Sequence, residues 1–324
     1  MVDVTIRGAG AFGLAVAYGC AAKGAKVRVV DPGGPGAGSS GGLVGALAPH
    51  VPENWNDKKA FQFASLAMGE SFWAEVARIG GRDPGYLRSG RLQPIADDHA
   101  LELARGRAKT AAELWEGKFA WEIVEAPRDW APITPTGLLV YDTLTARMSP
   151  RTAIPALAAA VQALGGEIVS EAADEGKVVW ATGSAGLVEL SEIFGKTVGA
   201  PIKGQSASLK YDARDLPQIF AGSVHIVPHA DGTVAIGSTT EREFDDPYAC
   251  DEQLEDVIAR ARAACPAIAE APVVTRWAGL RPRAKTRSPM LGAWPGREGH
   301  FIANGGFKIG FGMAPMVGIT MADL

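Results

Sequence analysis

The sequence predicts an α/β fold in which a parallel sheet flanked by helices alternates along the chain with segments of antiparallel sheet. Three observations predict this arrangement. Residues 2–6 alternate as in a strand, and the small apolar residues 14–24 that follow a Gly-rich turn are typical of a buried helix. Residues 86–141 contain short alternating segments around one charged helix, as in an antiparallel sheet with one solvated face. Residues 151–181 then return to the helix-and-apolar-strand pattern of the start.

The first Gly-rich turn reads Gly8-Ala9-Gly10-Ala11-Phe12-Gly13 and joins the first strand to the first helix. Gly8 permits the tight turn, Gly10 lets the backbone approach a pyrophosphate, and Gly13 lets the helix pack against its sheet. A pyrophosphate at the N-terminus of this helix would meet free N–H groups and the positive end of the helix dipole. A second strand at 26–30 ends in Asp31, close to the spacing at which an acid accepts ribose hydroxyls. Together these features predict a dinucleotide site.

Three later segments extend this site. Residues 31–45 are rich in Gly and contain Ser39 and Ser40, whose hydroxyls suit a second contact region for a flat cofactor, although a surface loop has the same composition. The apolar strand 177–181, closed by Ala181-Thr182-Gly183, is either where the backbone of a dinucleotide-binding fold returns beneath its cofactor or a purely structural strand end. Residues 305–310 form a third Gly-rich turn that leads into a helix, where an N-terminus stabilises negative charge.

The remaining elements follow from periodicity and from Gly and Pro boundaries. A core helix is expected over residues 58–78, and a hairpin signal at Ala230-Asp231-Gly232 joins two strands. Further helices are expected at 98–115, 151–164, 251–265 and 311–324. Further strands are expected at 86–95, 121–125, 137–141, 167–170, 177–181, 202–210, 223–229, 233–238, 273–283 and 300–304.

Composition excludes several classes of protein. The 32 basic and 36 acidic residues give a net charge of -4, which offers no electrostatic reason to bind nucleic acid or an anionic membrane. No apolar run approaches the roughly 20 residues that span a bilayer. The first strand leaves no room for a signal peptide, so a cytoplasmic protein is expected. Cys20, Cys250 and Cys265 suit reduced thiols and have no metal-ligand spacing, so no metal is expected.

Several motifs in order resemble the D-amino acid oxidase (DAO) family of FAD flavoproteins, in particular its glycine oxidase branch. The motifs are the N-terminal fingerprint, the Gly-Ser-Ser loop, Val-Val-Trp-Ala-Thr-Gly at 178–183, Pro-Ile-Lys-Gly-Gln at 201–205, the hairpin from Val227-Pro228 to Ser238-Thr239, Gly279-Leu280-Arg281-Pro282, and residues 306–315. The resemblance implies a Rossmann-like FAD-binding domain interleaved with an antiparallel-sheet (α+β) substrate domain. We expect the first domain to comprise 1–80, 145–200 and 285–324, and the second 81–144 and 201–284.

The cofactor that the resemblance implies is FAD, bound non-covalently because the three cysteines lie far in sequence from the Lys308 turn and no histidine adjoins the fingerprint. The residues expected to bind it are Gly8, Gly10, Ala11, Phe12, Gly13, Asp31, Ser39, Ser40, Leu43, Gly45, Ala46, Thr182, Gly183, Gly306, Phe307, Lys308, Ile309 and Gly310.

For substrate, the resemblance implies a small amine or amino acid such as glycine, sarcosine or a D-amino acid. Arg281 occupies the position of the family's carboxylate-binding arginine, and a planar guanidinium matches a carboxylate two hydrogen bonds at a time. His225 stands where glycine oxidase has a tyrosine, Lys308 where it has an arginine, and Thr240 where it has a methionine beside the substrate. We expect Arg281, His225, Thr240 and Lys308 to bind substrate, with Arg281, Lys308 and His225 serving catalysis.

The family's reaction transfers a hydride from the substrate α-carbon to flavin N5 and leaves an imine that hydrolyses, with O₂ the expected electron acceptor. Lys308 and the following helix N-terminus would stabilise negative charge on the reduced flavin. His225 either sets the protonation state of the amine, because its unperturbed pKa is near 6.5, or has a structural hydrogen-bonding role.

Other functions remain open at this point. Gly-Ser-Ser-Gly-Gly at 38–42 and Gly-Ala-Leu-Ala-Pro at 45–49 also resemble the oxidase domain of the bifunctional tRNA wobble-uridine modification enzyme, which cleaves an N-substituted glycine, although the missing methyltransferase half and the mild acidity disfavour an RNA substrate. The replacements at His225 and Lys308 leave room for a flavin-binding protein without turnover, and the fingerprint alone also fits a nicotinamide-dependent dehydrogenase. The oligomeric state is not predicted.

Overall fold

The computed structural model describes residues 1–324, and its strands form two large sheets and one two-stranded sheet. The strands are β1 (Val4–Arg7), β2 (Val27–Val30), β3 (Ala46–Leu47), β4 (Arg91–Pro94), β5 (Trp121–Glu125), β6 (Leu138–Asp142), β7 (Ala146–Arg147), β8 (Glu167–Val169), β9 (Lys177–Trp180), β10 (Gly199–Lys210), β11 (Gln218–Ala221), β12 (Val224–Pro228), β13 (Thr233–Gly237), β14 (Val273–Ala284), β15 (Met290–Ala293) and β16 (His300–Asn304). The helices are α1 (Ala11–Ala22), α2 (Asp57–Ala67), α3 (Gly69–Gly80), α4 (Asp98–Leu114), α5 (Pro150–Ala163), α6 (Gly183–Ile193), α7 (Glu252–Ala264) and α8 (Gly310–Ala322). None of these helices is both long enough and apolar enough to cross a membrane.

The first large sheet has six strands in the order β15-β16-β9-β1-β2-β8. All neighbours are parallel except β15, which runs antiparallel to β16. β1 lies at the centre of the sheet and the strand order changes direction on either side of it. The carboxyl ends of β1, β9 and β16 therefore meet at one edge, which is where open α/β sheets bind ligands.

The second large sheet has eight strands in the order β14-β10-β13-β12-β11-β4-β6-β5. Its neighbours are antiparallel except β11 and β4. One face packs on α7 and buries an apolar core that includes Leu209, Ile226 and Val257. The long pair β10–β14 places Arg281 opposite Ile202 and carries one end of this sheet toward the first.

The two types of sheet confirm the predicted mixed parallel and antiparallel fold. Strands of the six-stranded sheet come from 4–30, 167–180 and 290–304, and those of the eight-stranded sheet from 91–142 and 199–284. The division of the chain into two domains, with the bounds given above, stays a prediction.

Several elements differ from the sequence prediction. The helix expected over residues 58–78 is wrong as one element, because the chain forms α2 and α3 with a junction at Met68. The strand expected over 86–95 pairs continuously only as β4, while Leu87 makes an isolated bridge to Arg147. The short strands β3, β7, β11 and β15 were not predicted. β11 has three buried residues out of four, so it lacks the alternation that reveals a half-exposed strand.

Candidate active site

A cavity of about 900 Å³ extends from the carboxyl edge of the six-stranded sheet to the eight-stranded sheet. It is lined by the first Gly-rich turn, the 39–48 segment, the start of α6, strands β12 and β14, and the turn before α8. The predicted cofactor-binding residues that line it are Gly8, Gly10, Ala11, Phe12, Asp31, Ser39, Ser40, Leu43, Gly45, Ala46, Thr182, Gly183, Gly306, Phe307, Lys308, Ile309 and Gly310. The fold therefore brings together segments that are far apart in sequence.

Gly13 is the predicted cofactor residue that does not line the cavity. It lies in the first turn of α1, and an added Cβ would overlap the carbonyl oxygen of Gly8. Its role in the structure is the close packing of α1 against β1. Gly8 itself has a positive φ of 107° and lies against the carbonyl of Ala181, so a side chain there would meet both strain and a clash.

Asp31 fixes the turn at one end of the cavity. Its Oδ2 accepts a hydrogen bond from the N–H of Ala9 at 2.8 Å, and its Oδ1 accepts one from the N–H of Gly33 at 3.0 Å. A carboxylate oxygen accepts more than one hydrogen bond, so both oxygens retain capacity for ribose hydroxyls. The carboxylate thus fits the adenosine end of a dinucleotide.

The N-terminus of α1 opens on the cavity through Gly10, Ala11 and Phe12. Ser40 Oγ accepts a hydrogen bond from the N–H of Ala11 at 3.0 Å, whereas the N–H groups of Phe12 and Gly13 have no acceptor in the protein. Helix N-termini require acceptors for such groups, and a pyrophosphate supplies them together with a charge that suits the helix dipole. This end of the cavity fits the phosphates of FAD.

Asn304 is a cavity residue that the sequence analysis missed. It is 2 % exposed, its Nδ2 donates to the carbonyl of Gly183 at 2.9 Å, and its Oδ1 accepts from the N–H of Gly305 at 2.7 Å. Asn304 therefore joins the turn after β9 to the turn before α8. A polar residue that ends an apolar strand before Gly-Gly was the available signal.

At the other end of the cavity, Arg281 is a buried guanidinium that pairs with no carboxylate. Its Nη1 donates to Ser238 Oγ at 2.7 Å, and its Nη2 donates to the carbonyl oxygens of Thr239 at 2.6 Å and Lys203 at 3.3 Å. Burial lowers the pKa of Arg281 to about 10. The guanidinium carbon also lies 5.4 Å from the centroid of the Phe307 ring, which is within range of a cation–π contact.

A buried polar network supports the backbone around Arg281. Lys203, which is 2 % exposed, lies with its Nζ 3.0 Å from Asp251 Oδ2 and 3.4 Å from Glu241 Oε2. Gln205 Nε2 donates to Asp251 Oδ1 at 2.7 Å and to Glu241 Oε1 at 3.1 Å. Because Glu241 is already engaged by Lys203 and Gln205, it does not neutralise Arg281 by a direct contact.

Lys308 lies on the same side of the cavity as Arg281. Its Nζ is 5.8 Å from the centroid of the Phe307 ring. Desolvation, together with the positive charge of Arg281, lowers the pKa of Lys308 to about 8. Neither cation has an acidic partner in the structure, so this end of the cavity attracts an anion.

His225 lines the cavity from β12, with its ring centroid 4.6 Å from that of Phe220. Burial, with smaller contributions from Arg91 and Lys308, lowers the pKa of His225 to about 3. A ring with this pKa is neutral at physiological pH, so it would not set the protonation state of the amine by titrating near neutrality. Its Nδ1 has no partner in the protein, which favours the hydrogen-bonding alternative.

Thr240 does not line the main cavity. It lies in an adjoining pocket of about 540 Å³ whose walls contain no hydrophobic residue, at the N-terminal half of α7. Ser223, Ser238 and Lys308 line both spaces, so the pocket adjoins the main cavity at its Arg281 end. Besides Asn304, the cavity residues missed by the sequence analysis include Ser238, Phe220 and Trp277, none of which carries a local signal.

Comparison with known proteins gives one family for nearly the whole chain. Residues 3–324 match the DAO family model, described as FAD dependent oxidoreductase. The glycine oxidase of Pseudomonas putida is 28% identical over 356 residues, covering 99% of this chain and 94% of that protein. Among solved structures, glycine oxidase from Geobacillus kaustophilus superposes with a TM-score of 0.82 at 22% identity, covering 100% of this chain and 94% of that one. Iminodiacetate oxidase from Chelativorans superposes with a TM-score of 0.83 at 20% identity, covering 99% and 94%.

Proposed function

The chain belongs to the DAO family of FAD-dependent oxidoreductases, and we propose that it oxidises the Cα–H bond of a small α-amino acid such as glycine, sarcosine or a D-amino acid. The single observation that carries this substrate class is Arg281, a buried cation in the cavity with no carboxylate partner. Burying an unpaired charge is costly, whereas a carboxylate ligand would compensate it.

The residues that would hold FAD are those that line the rest of the cavity. The free N–H groups at the start of α1 suit the pyrophosphate, and Asp31 suits the ribose. The segment from Leu43 to Ala46 and the turn at Phe307 line the same cavity and would contact the rest of the cofactor. No cysteine lines the cavity, which supports non-covalent binding.

When bound, FAD supplies at its N5 the acceptor for the hydride of the substrate Cα–H bond, which leaves an imine that water hydrolyses. The protein binds and orients the substrate. Arg281 would hold the carboxylate and so fix the position of the α-carbon. Lys308 and the N-terminus of α8 would stabilise negative charge that develops at this end of the cavity.

A general base is not required if the amine enters in its neutral form. His225, with its pKa lowered to about 3, has a neutral ring at the wall of the cavity and would neither repel nor deprotonate a substrate ammonium near neutral pH. The remaining charge on this wall belongs to Arg281 and Lys308. We infer that these two cations depress the pKa of a bound amine and favour its neutral form.

The test is an anaerobic screen for bleaching of the visible flavin absorption with glycine, sarcosine, D-amino acids and proline-like amines. We expect the purified protein to be yellow and to bleach with at least one of these compounds. Air should then restore the colour and consume O₂. A yellow protein that no amine bleaches would favour the non-catalytic alternative, and a colourless protein that binds NAD but not FAD would contradict the proposal.

A further inference from the structure

We propose that Ser238 forms half of the substrate-carboxylate site, donating its hydroxyl proton to one carboxylate oxygen while Arg281 Nη1 donates to the other. This inference rests on the proposed function, because it assumes that the Arg281 side of the cavity receives a carboxylate. No binding role was predicted for Ser238 from the sequence.

The hydrogen bonds of Arg281 within the protein leave few donors for a ligand. A guanidinium holds a carboxylate with two parallel hydrogen bonds along either of two edges, and Nη2 belongs to both of them. Here both N–H groups of Nη2 point to backbone carbonyls, those of Thr239 and Lys203. The Nε–H group has no partner in the protein, but it is buried and therefore out of reach of a ligand in the cavity. The two-pronged contact expected from the sequence therefore has no free edge, and Nη1 is the donor that remains for a ligand.

Ser238 offers a free hydroxyl donor beside Arg281. Its Oγ accepts the hydrogen bond from Arg281 Nη1 at 2.7 Å, and its own proton has no acceptor in the protein. A hydroxyl carries one donor and two acceptor sites, so this group accepts from Arg281 and donates elsewhere at the same time. Because Ser238 lines both the main cavity and the adjoining polar pocket, that free donor faces the space a substrate enters.

Hydrogen bonds hold the backbone next to Ser238 in place. The carbonyl of Thr239 is held by Arg281, its N–H donates to the carbonyl of Gln205 at 3.3 Å, and its Oγ1 accepts from the N–H of Gln205 at 2.8 Å. The buried Lys203–Glu241 pair anchors the next residues through reciprocal backbone bonds of 3.0 Å. Ser238 and Arg281 are thus fixed relative to each other before a ligand binds, which favours a defined carboxylate geometry.

The experiment measures binding of glycolate, a carboxylate without an amine, to the FAD-loaded protein by calorimetry, together with the kinetics of flavin reduction by glycine. Ser238→Ala should weaken glycolate binding about tenfold or more and raise KM for glycine by a similar factor with little change in kcat, because it removes a hydrogen bond to a charged group. Ser238→Thr keeps the hydroxyl and should restore most of the affinity. Reduction by an amine without a carboxylate should be unaffected.

Ser223→Ala is the matched control, since Ser223 lines the same two spaces but has no hydrogen bond to Arg281. It should bind glycolate as the wild type does. Equal or tighter glycolate binding by Ser238→Ala would overturn the inference, because it would show that the hydroxyl is only a competitor for Nη1. If Arg281→Ala weakens glycolate binding while Ser238→Ala does not, this inference alone fails. If neither change matters, the carboxylate assignment in the proposed function fails as well.

Discussion

The guanidinium of Arg281 lies directly against the α-carbon of Gly204. A Cβ added at residue 204 would be 2.8 Å from Nε and would overlap Cζ and Nη2. The Phe307 ring lies 5.4 Å from Cζ, and Gly204 pairs across β10 and β14 with Gly279. Arg281, the residue proposed to bind the substrate carboxylate, can therefore occupy this position only because residue 204 has no side chain.

Gly204→Ala should displace Arg281 while the FAD end of the cavity stays intact. The displaced guanidinium must give up its bonds to Thr239 and Lys203, and we expect a loss of about 1–3 kcal/mol in glycolate binding. Gly106→Ala is the control, because Gly106 lies within α4 and an added Cβ there meets no atom within 4 Å. That change should leave glycolate binding unaltered and stabilise the fold by roughly 0.5–1 kcal/mol. Calorimetry measures glycolate binding, and thermal unfolding measures stability. Equal glycolate affinity in both variants would show that the close contact between Gly204 and Arg281 does not position the guanidinium.

Arg281→Ala should retain FAD and fold but lose affinity for amino acids by about 2–5 kcal/mol, or roughly thirty-fold to several thousand-fold. Arg281→Lys should recover only part of this loss, since an ammonium cannot keep the contacts with Ser238, Thr239 and Lys203 at once. Amines without a carboxylate should respond little to either change. Anaerobic flavin reduction, measured for both variants with amino acids and with amines that lack a carboxylate, tests these three expectations. If wild type and Arg281→Ala reduce equally well with the best amino acid, the assignment is wrong.

The charge of Lys308 should make carboxylate binding depend on pH. The pKa of Lys308 is lowered to about 8, and a bound anion would raise it again. Glycolate affinity should therefore be constant below pH 8 and fall as the pH rises above that value, because binding must then take up a proton. Of the other groups at this end of the cavity, Arg281 has a pKa of about 10 and so stays charged near pH 8, and His225 has a pKa of about 3 and so is neutral there. Lys308→Met should remove the decline near pH 8, and a decline that persists in this variant would assign it to another group.

His225 should not produce a pH dependence near neutrality. Its pKa is lowered to about 3, so no proton is gained or lost by the ring in the range where an ordinary histidine titrates. His225→Gln should change the rate of flavin reduction, because it alters the hydrogen-bonding group that the ring offers to a ligand, but leave the shape of the pH profile unchanged. A limb near pH 6.5 in the wild type that disappears in the glutamine variant would disprove this.

Acid precipitation should leave the flavin colour in the supernatant. Cys20 and Cys265 are buried outside the cavity, and Cys250 is exposed but does not line it, so no thiol lines the cavity proposed for FAD. Colour that stays with the pellet would contradict non-covalent binding and would direct attention to His225, the histidine that lines the cavity.

The sequence by itself determined the features that depend on backbone freedom and local periodicity. Only glycine adopts the positive φ of Gly8 at low cost, so the fingerprint, followed by a small apolar helix and a strand ending in Asp31, specified the end of the cavity that we propose for FAD. Ordered motifs specified the family in the same way, and the alternating segments specified an antiparallel sheet.

Tertiary structure decided what depends on groups distant in sequence. The pKa of His225 falls to about 3 because of burial, and burial is set by neighbouring strands and not by residues 224–226. The donors of Arg281 are taken by carbonyls of Thr239 and Lys203, about 40 and 80 residues away, which no pattern around Gly279-Leu280-Arg281-Pro282 reveals. Ser238 became a candidate substrate-binding residue only because β13 and β14 place its hydroxyl against the Arg281 guanidinium. Hydrogen bonds act over about 3 Å, so the chemistry of a site is settled by which strands the fold makes neighbours.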